Sequence, residues 1–329
     1  MTRLLATVAA LGVGLGCQCG PGGSVIVTGP RMDAGLDAGP MPGLDAGADA
    51  SVRDAGATDG GSSDASVECL APDVLIALDR TLTMHRTATG ATPADTDAGH
   101  ATSKWSMAIT AIEQFTAAPL DGTIRFGLEL WPRQSPGCIT LGQRIRGDGA
   151  TNPSCEGPEV PLAPALANGA AISALLDPES TLICTSTPTG DALIGAQRHL
   201  EVRRVEGREQ FVALVTDGAD WDVSCPSPDP LLAVDGLADA GISTLVIGFS
   251  AEASVRNGVG AAFLNDLACA GRTAKTFPAP CVADAQGRLR ARVPDAGATD
   301  ALFYSATNTA ELVDTLRVFA RRVCCGCIM

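Results

Sequence analysis

Aromatic side chains are scarce in this chain: one Tyr, three Trp and eight Phe among 329 residues. Any core must therefore be mainly aliphatic. Histidine is scarcer still, and His85, His100 and His199 lie too far apart in sequence to suggest a zinc triad. Positive charge is in deficit, with 23 Lys and Arg against 37 Asp and Glu, a formal net charge of −14. Nucleic acid and anionic lipid recruit cationic surfaces that displace counterions, so neither is expected as the main partner. No Gly-x-Ser-x-Gly elbow is present, which removes the usual foothold for serine hydrolysis. Gly258-Val259-Gly260 does not follow the first strand and reads as a loop and helix start, not a dinucleotide site. Paired CxxC knuckles are also missing. With them absent, 12 cysteines point to disulfides in an oxidising compartment.

The chain falls into three segments: 1–16, 17–67 and 68–329. Met1 to Gly16 carries one early charge, Arg3, then an uncharged apolar run from Leu4 to Leu15. That run is shorter than the roughly 20 residues a permanent span needs and has the proportions of a secretory signal. It ends Gly14-Leu15-Gly16-Cys17, which resembles a bacterial lipobox, although the aliphatic residue Val13 stands one place early. The resemblance implies lipidation of Cys17 and, with Gln18 rather than aspartate next, the outer membrane; plain cleavage and secretion is the alternative. From Gly20 to Val67 the composition narrows to Gly, Ala, Asp, Pro and Ser. The unit Asp-Ala-Gly recurs at Asp33, Asp37, Asp45 and Asp54. So little apolar surface cannot offset ordering entropy, so a disordered tether is expected, with a reach of about 35–40 Å.

Beyond Cys69 the pattern becomes that of a folded α/β domain. Val74 to Leu78, Val212 to Val215 and Thr244 to Ile247 are continuous apolar runs, as strands buried on both faces require. Ile124 to Leu130 alternates with Arg125, Gly127 and Glu129 and reads as a half-exposed strand. Trp105, Ala108, Ile109, Ile112 and Phe115 recur at helical spacing, and Pro119 marks a stop. Asp191 to Arg203, Leu231 to Ala240 and Ala310 to Arg322 read as further helices. This alternation predicts a doubly wound, mostly parallel central sheet flanked by helices, with any ligand beyond the C-terminal strand ends.

Oxygen donors collect at those ends. The first strand runs into Asp79-Arg80-Thr81-Leu82-Thr83. The second long apolar run ends Thr216-Asp217-Gly218, and Thr185-Ser186-Thr187-Pro188-Thr189-Gly190 precedes a helix. Such a set suits a hard divalent ion, Mg²⁺ ahead of Zn²⁺. Asp79-x-Thr81-x-Thr83, Thr187 and Asp217-Gly218 together resemble the metal-ion-dependent adhesion site of von Willebrand factor A domains, over roughly residues 73 to 323. The resemblance implies that Thr81 and Thr83 ligate directly and that Asp79 and Asp217 act mainly through waters. Thr187 would do either, and one position stays open for a partner's carboxylate. It also implies Mg²⁺, with Mn²⁺ or Ca²⁺ able to substitute. Two departures stand out. Threonines occupy positions usually held by serines, and Leu82 stands where many members have glycine, whose backbone freedom it lacks.

Among the cysteines, Cys138 and Cys155 bracket a Gly/Pro-rich insertion and are expected to pair. Cys184 with Cys225 would tie two of the donor loops together, and Cys269 with Cys281 would close a short turn. Cys69 would meet the terminal group, Cys324, Cys325 and Cys327. Sequence does not fix this connectivity.

The expected function is a surface-tethered, non-enzymatic protein-binding module, using its metal to bridge to a partner's Asp or Glu. It would touch the membrane only through its N-terminal lipid. The alternatives are a cell-envelope scaffold whose metal site is vestigial, a receptor blocked in cis by the tether's aspartates, and a metal-dependent hydrolase. The hydrolase lacks any general base other than the site carboxylates.

Overall fold

All seven residues of β1 (Asp73–Asp79) are buried, which a strand can be only when both faces of its sheet are covered. The computed structural model describes residues 70–146, 155, 157–177, 182–218, 227–249, 259–292 and 301–323. These belong to the second of two units, Cys69–Met329. The expected leader (1–16), the expected lipidation site Cys17 and the expected tether lie outside the described residues.

After β1 come α1 (Asp97–His100), α2 (Lys104–Phe115), β2 (Arg125–Trp131), α3 (Leu141–Arg146), β3 (Glu159–Ala165), α4 (Gly169–Leu175) and α5 (Thr189–Glu201). The chain continues through β4 (Gln210–Thr216), α6 (Pro230–Asp239), β5 (Ile242–Phe249), α7 (Val259–Ala270) and a small hairpin, β6 (Cys281–Ala283) with β7 (Leu289–Ala291). It then forms β8 (Tyr304–Ala306) and α8 (Thr309–Val323). The main sheet has the order β3-β2-β1-β4-β5-β8. Every pairing in it is parallel except β3 on β2. The mostly parallel α/β architecture expected from the sequence is therefore present. From β1 the chain winds first toward β2 and β3, then crosses to β4, β5 and β8. The crevice between the C-terminal ends of β1 and β4 is thus the topological switch point, where such sheets bind ligands.

Alternation along the strands divides the core. Val74, Ile76 and Leu78 face α2 (Trp105, Ile109, Ile112, Phe115) and α8 (Leu312, Leu316, Phe319). Leu75 and Ala77 face α5 (Ala192, Leu193, Ala196), α6 (Val234, Leu237) and α7 (Leu264, Leu267). The few aromatics are concentrated here: Trp105, Trp131, Phe115, Phe126, Phe249 and Phe303 are among the largest fully buried side chains. Ser103 caps α2 by accepting from Ser106 N at 3.0 Å. Asp229 caps α6 ahead of Pro230 in the first turn, a favourable pairing of cap and proline.

Two strand expectations need correction. β2 is not half-exposed, because its second face is covered as well. Arg125 Nε reaches back to Asp73 Oδ1 at 2.7 Å, Pro164 lies against Gly127, and Glu129 is fully buried. β3 begins at the end of the stretch read as an insertion, Pro136 to Pro161, and runs on beyond it. Its Pro161 and Pro164 argue against a central strand, but an edge strand with bulged pairing tolerates them.

Neither carboxyl oxygen of Glu129 has a hydrogen-bond partner among the described residues, and burial pushes its pKa well above the ordinary carboxyl range. The unfolded chain releases this proton at about pH 4.3, whereas the folded domain holds it to higher pH, so folding stability falls as pH rises through that interval. Glu129→Gln should flatten this slope, raising the melting temperature more at about pH 8 than at about pH 5. Thermal melts across that range check it; an unchanged slope would show that Glu129 does not titrate as argued.

Candidate metal centre

Parallel pairing of β1 with β4 sets Leu78 opposite Val215, so Asp79 and Thr216 emerge side by side. Thr216 Oγ1 donates to Asp79 Oδ2 at 2.8 Å, and Thr81 N donates to Asp79 Oδ1 at 2.8 Å. The second bond is an Asx-type turn, in which a carboxylate organises the backbone two residues on. It leads into a 3₁₀ turn over Leu82–His85. That turn sets the Thr81 and Thr83 hydroxyl oxygens 3.1 Å apart and lets Thr83 Oγ1 donate to Asp217 Oδ1 at 2.9 Å. Four of the five expected residues are therefore in one cluster. Asp79, Thr81 and Asp217 are buried, while Thr83 is exposed, so the cluster is closed from below and reached past Thr83.

Leu82 does no harm to this geometry. The described non-glycine residues with φ in the left-handed region are Ala167, Ser186, Arg272 and Thr276, so the turn does not call on glycine's freedom at Leu82. Its half-buried side chain packs on the core.

The third loop is docked beside the cluster: Thr81 and Cys184 form a parallel bridge, with Cys184 N donating to Arg80 O at 3.2 Å. Ser186, with φ 89°, turns the loop toward α5. Gly190, in the first turn of that helix, has the Pro228 carbonyl only 1.8 Å from where a Cβ would stand, so no larger residue fits without a shift. Thr187 is half-buried, and its hydroxyl makes no hydrogen bond to Asp79, Thr81, Thr83 or Asp217. Its carbonyl accepts from Thr189 N at 2.8 Å.

Burial, and then the neighbouring Asp217 charge, raise the Asp79 pKa to about 7 against the opposing bonds from Thr81 and Thr216. Sequence reasoning missed the cation of this site. Lys104, the first residue of α2, places Nζ 2.5 Å from Asp217 Oδ2, with its side chain fully buried. A signal did exist: Lys104, Ala108, Ala111 and Phe115 share one buried helical stripe, on which an ionised side chain must have a partner.

The donor set fits a small hard cation. Octahedral ligands about 2.0–2.1 Å from Mg²⁺ lie about 2.9 Å from their neighbours. The Thr81–Thr83 oxygen separation of 3.1 Å is compatible with that spacing, and Thr83 Oγ1 is hydrogen-bonded to Asp217 Oδ1 at 2.9 Å. No group of three or more His, Cys, Asp or Glu able to hold a metal exists among the described residues, as a softer zinc site would need. His100 instead pairs with Asp95 at 3.1 Å.

The disulfides differ from expectation. Cys138 is bonded to Cys184, not to Cys155, and Cys184 is thereby not available to Cys225. The reason is the antiparallel bridge between Ile139 and Ile183, whose reciprocal 2.9 Å hydrogen bonds bring the adjoining cysteines to a Cα separation of 4.4 Å. Cys155 is disulfide-bonded as well. Cys269 and Cys281 form the expected bridge. Cys69, Cys225 and Cys324 lie outside the described residues.

No family model matches this chain, and no curated protein matches it. Several solved structures are similar. The pilus adhesin SpaC of Lactobacillus rhamnosus GG has a TM-score of 0.45 and 14% identity, over 78% of this chain and 31% of the adhesin. Proximal thread matrix protein 1 from the mussel byssus, with a zinc-occupied MIDAS motif, has a TM-score of 0.42 and 10% identity, over 76% and 47%. Manganese-loaded Plasmodium vivax TRAP protein has 0.39 and 17%, over 76% and 73%. The match thus spans less than half the length of the adhesin and of the byssus protein. Likenesses of this size bear on no function. The class of protein the fold and site define is a mostly parallel α/β domain with an oxygen-donor cluster at its switch point, the architecture that the von Willebrand factor A resemblance implies.

Closing a loop of 46 residues, the Cys138–Cys184 bridge should stabilise the domain by up to about 4 kcal/mol through the unfolded chain. The Cys138→Ser/Cys184→Ser double variant should melt well below wild type under non-reducing conditions. Equal melting would show that backbone pairing alone secures the donor loop.

Proposed function

We propose that the domain is a protein-binding module whose switch-point cluster holds a divalent cation, Mg²⁺ by preference and Mn²⁺ or Ca²⁺ in its place, and uses it to engage an Asp or Glu of a partner protein. Thr81, Thr83, Thr187, Asp79 and Asp217 would hold the ion. The observation that supports this most directly is the run of closely spaced oxygens from Thr81 through Thr83 to Asp217, with the exposed Thr83 at its middle. A bound cation would compensate a partner carboxylate as it leaves water, a transfer that is otherwise costly. The chain's own residues do the positioning. Asp79 organises the turn, Thr216 fixes Asp79, and Thr83 stands where a partner would arrive. On this reading an acidic protein can receive an acidic ligand. We further propose export, with lipid attachment at Cys17 and the 17–67 segment as spacer on a bacterial envelope, outer membrane preferred, or else secretion.

A second reading, a cell-envelope scaffold with a vestigial site, has one observation in its favour: Lys104 already neutralises Asp217.

Thr83→Ala removes the donor oxygen carried by an exposed residue, together with its bond to Asp217, while Lys104 still pairs with that carboxylate. It should lose the rise in melting temperature that Mn²⁺ or Mg²⁺ gives the wild-type domain, and any metal-dependent capture of partner. A wild-type domain whose melting ignores both ions would favour the scaffold. Because the folded Asp79 carboxyl takes up a proton below about pH 7, metal binding should be weaker at about pH 6 than at about pH 8. A titration at both pH values checks this.

A further inference from the structure

Lys104 stands where helix electrostatics disfavour it. The N-terminal turn of a helix carries partial positive charge and favours acids, yet α2 has no acid in that turn and begins with a buried lysine. The lysine's chain packs in the core, and its ammonium meets Asp217 Oδ2. The other oxygen of the same carboxylate accepts from Thr83. Asp217 is thus shared between a resident cation on one side and the hydroxyl pair on the other. A divalent ion at the hydroxyl side would lie within a few ångströms of a fixed positive charge that no solvent screens.

Resting on the metal-site reading above, we propose that Lys104 is the resting counter-ion of Asp217: it keeps the cluster folded without a metal and opposes entry of one, which sets the site's affinity for a divalent ion. In this view the site is complete in two states, one neutralised by a side chain and one by a metal.

The test uses the purified full chain at about pH 8 with chelator, then with Mn²⁺ or Mg²⁺, following melting temperature and metal-binding isotherms. Wild type should stay folded in chelator and melt only modestly higher in Mn²⁺ or Mg²⁺. Lys104→Met leaves Asp217 buried without its cation, so it should melt lower in chelator and recover in Mn²⁺. Its Mn²⁺ affinity should exceed wild type by about tenfold or more. Lys104→Arg keeps the charge and should stay close to wild type. If Lys104→Met binds Mn²⁺ no more tightly than wild type, the proposal fails while the metal-site reading stands. If Lys104→Met alone binds metal, the proposal holds and the wild-type metal reading falls. If neither binds, both fall. Should Lys104→Met be unfolded in chelator, a native circular-dichroism spectrum restored by millimolar Mn²⁺ supports the proposal. Failure of the ion to restore it overturns the proposal, since the two cations would then not be interchangeable.

Discussion

Two carboxylates, Asp79 and Asp217, are buried next to one another at the C-terminal edge of the central sheet, and the local structure is organised around that repulsion. Neither burial nor proximity to Asp217 favours the charge of Asp79. Asp79 is answered by a backbone N–H and the Thr216 hydroxyl, and its pKa still rises to about 7. Asp217 is answered by Thr83 and by the Lys104 ammonium. The bonds that stabilise these carboxylates also shape the Thr81–Thr83 turn, so the hydroxyls are spaced by the same interactions that keep the acids tolerable. Local folding and site geometry have one cause.

The position of this cluster follows from topology. β1 is central, its neighbours on both sides are parallel to it, and the chain reverses its direction of winding there. The helices leaving β1 and entering β4 pack on opposite faces, which leaves the strand ends uncovered between them. The sheet fixes where Asp79 and Thr216 stand, and the third loop is added by the Ile139–Ile183 and Thr81–Cys184 bridges and by one disulfide. A site assembled from three loops on rigid elements loses less entropy when a ligand orders it.

What could be read from the sequence was what a local pattern encodes. β1, β4 and β5 are uninterrupted apolar runs because they are covered on both sides, and α2 showed its stripe by spacing. The donor motif was legible because Asp79, Thr81 and Thr83 lie within one turn. What was missed depends on distant partners. β3 is a strand only because β2 offers it an edge, and its prolines hide it. Glu129 looked solvent-facing by alternation because nothing nearby announces the cover over that face. The Cys138–Cys184 pairing comes from a two-residue bridge between segments far apart in the chain. Lys104 lay between these cases: its spacing placed it in the buried stripe, but its meaning required Asp217, which is distant in sequence.

The two threonines bear on whether such a site still functions. Serine would supply the same oxygen with a freely rotating side chain, whereas a β-branched side chain has restricted χ1. Thr81 is buried, whereas Thr83 has solvent beside it and so has room for its methyl. With the backbone turned by Asp79 and the rotamers limited by branching, the two oxygens are held near ligating separation before any ion arrives. On the proposed reading, that preorganisation would offset part of the opposition from Lys104. On the proposed metal-site reading, the two threonines stiffen the cluster, and its affinity would be set by a balance between fixed oxygens and a fixed positive charge.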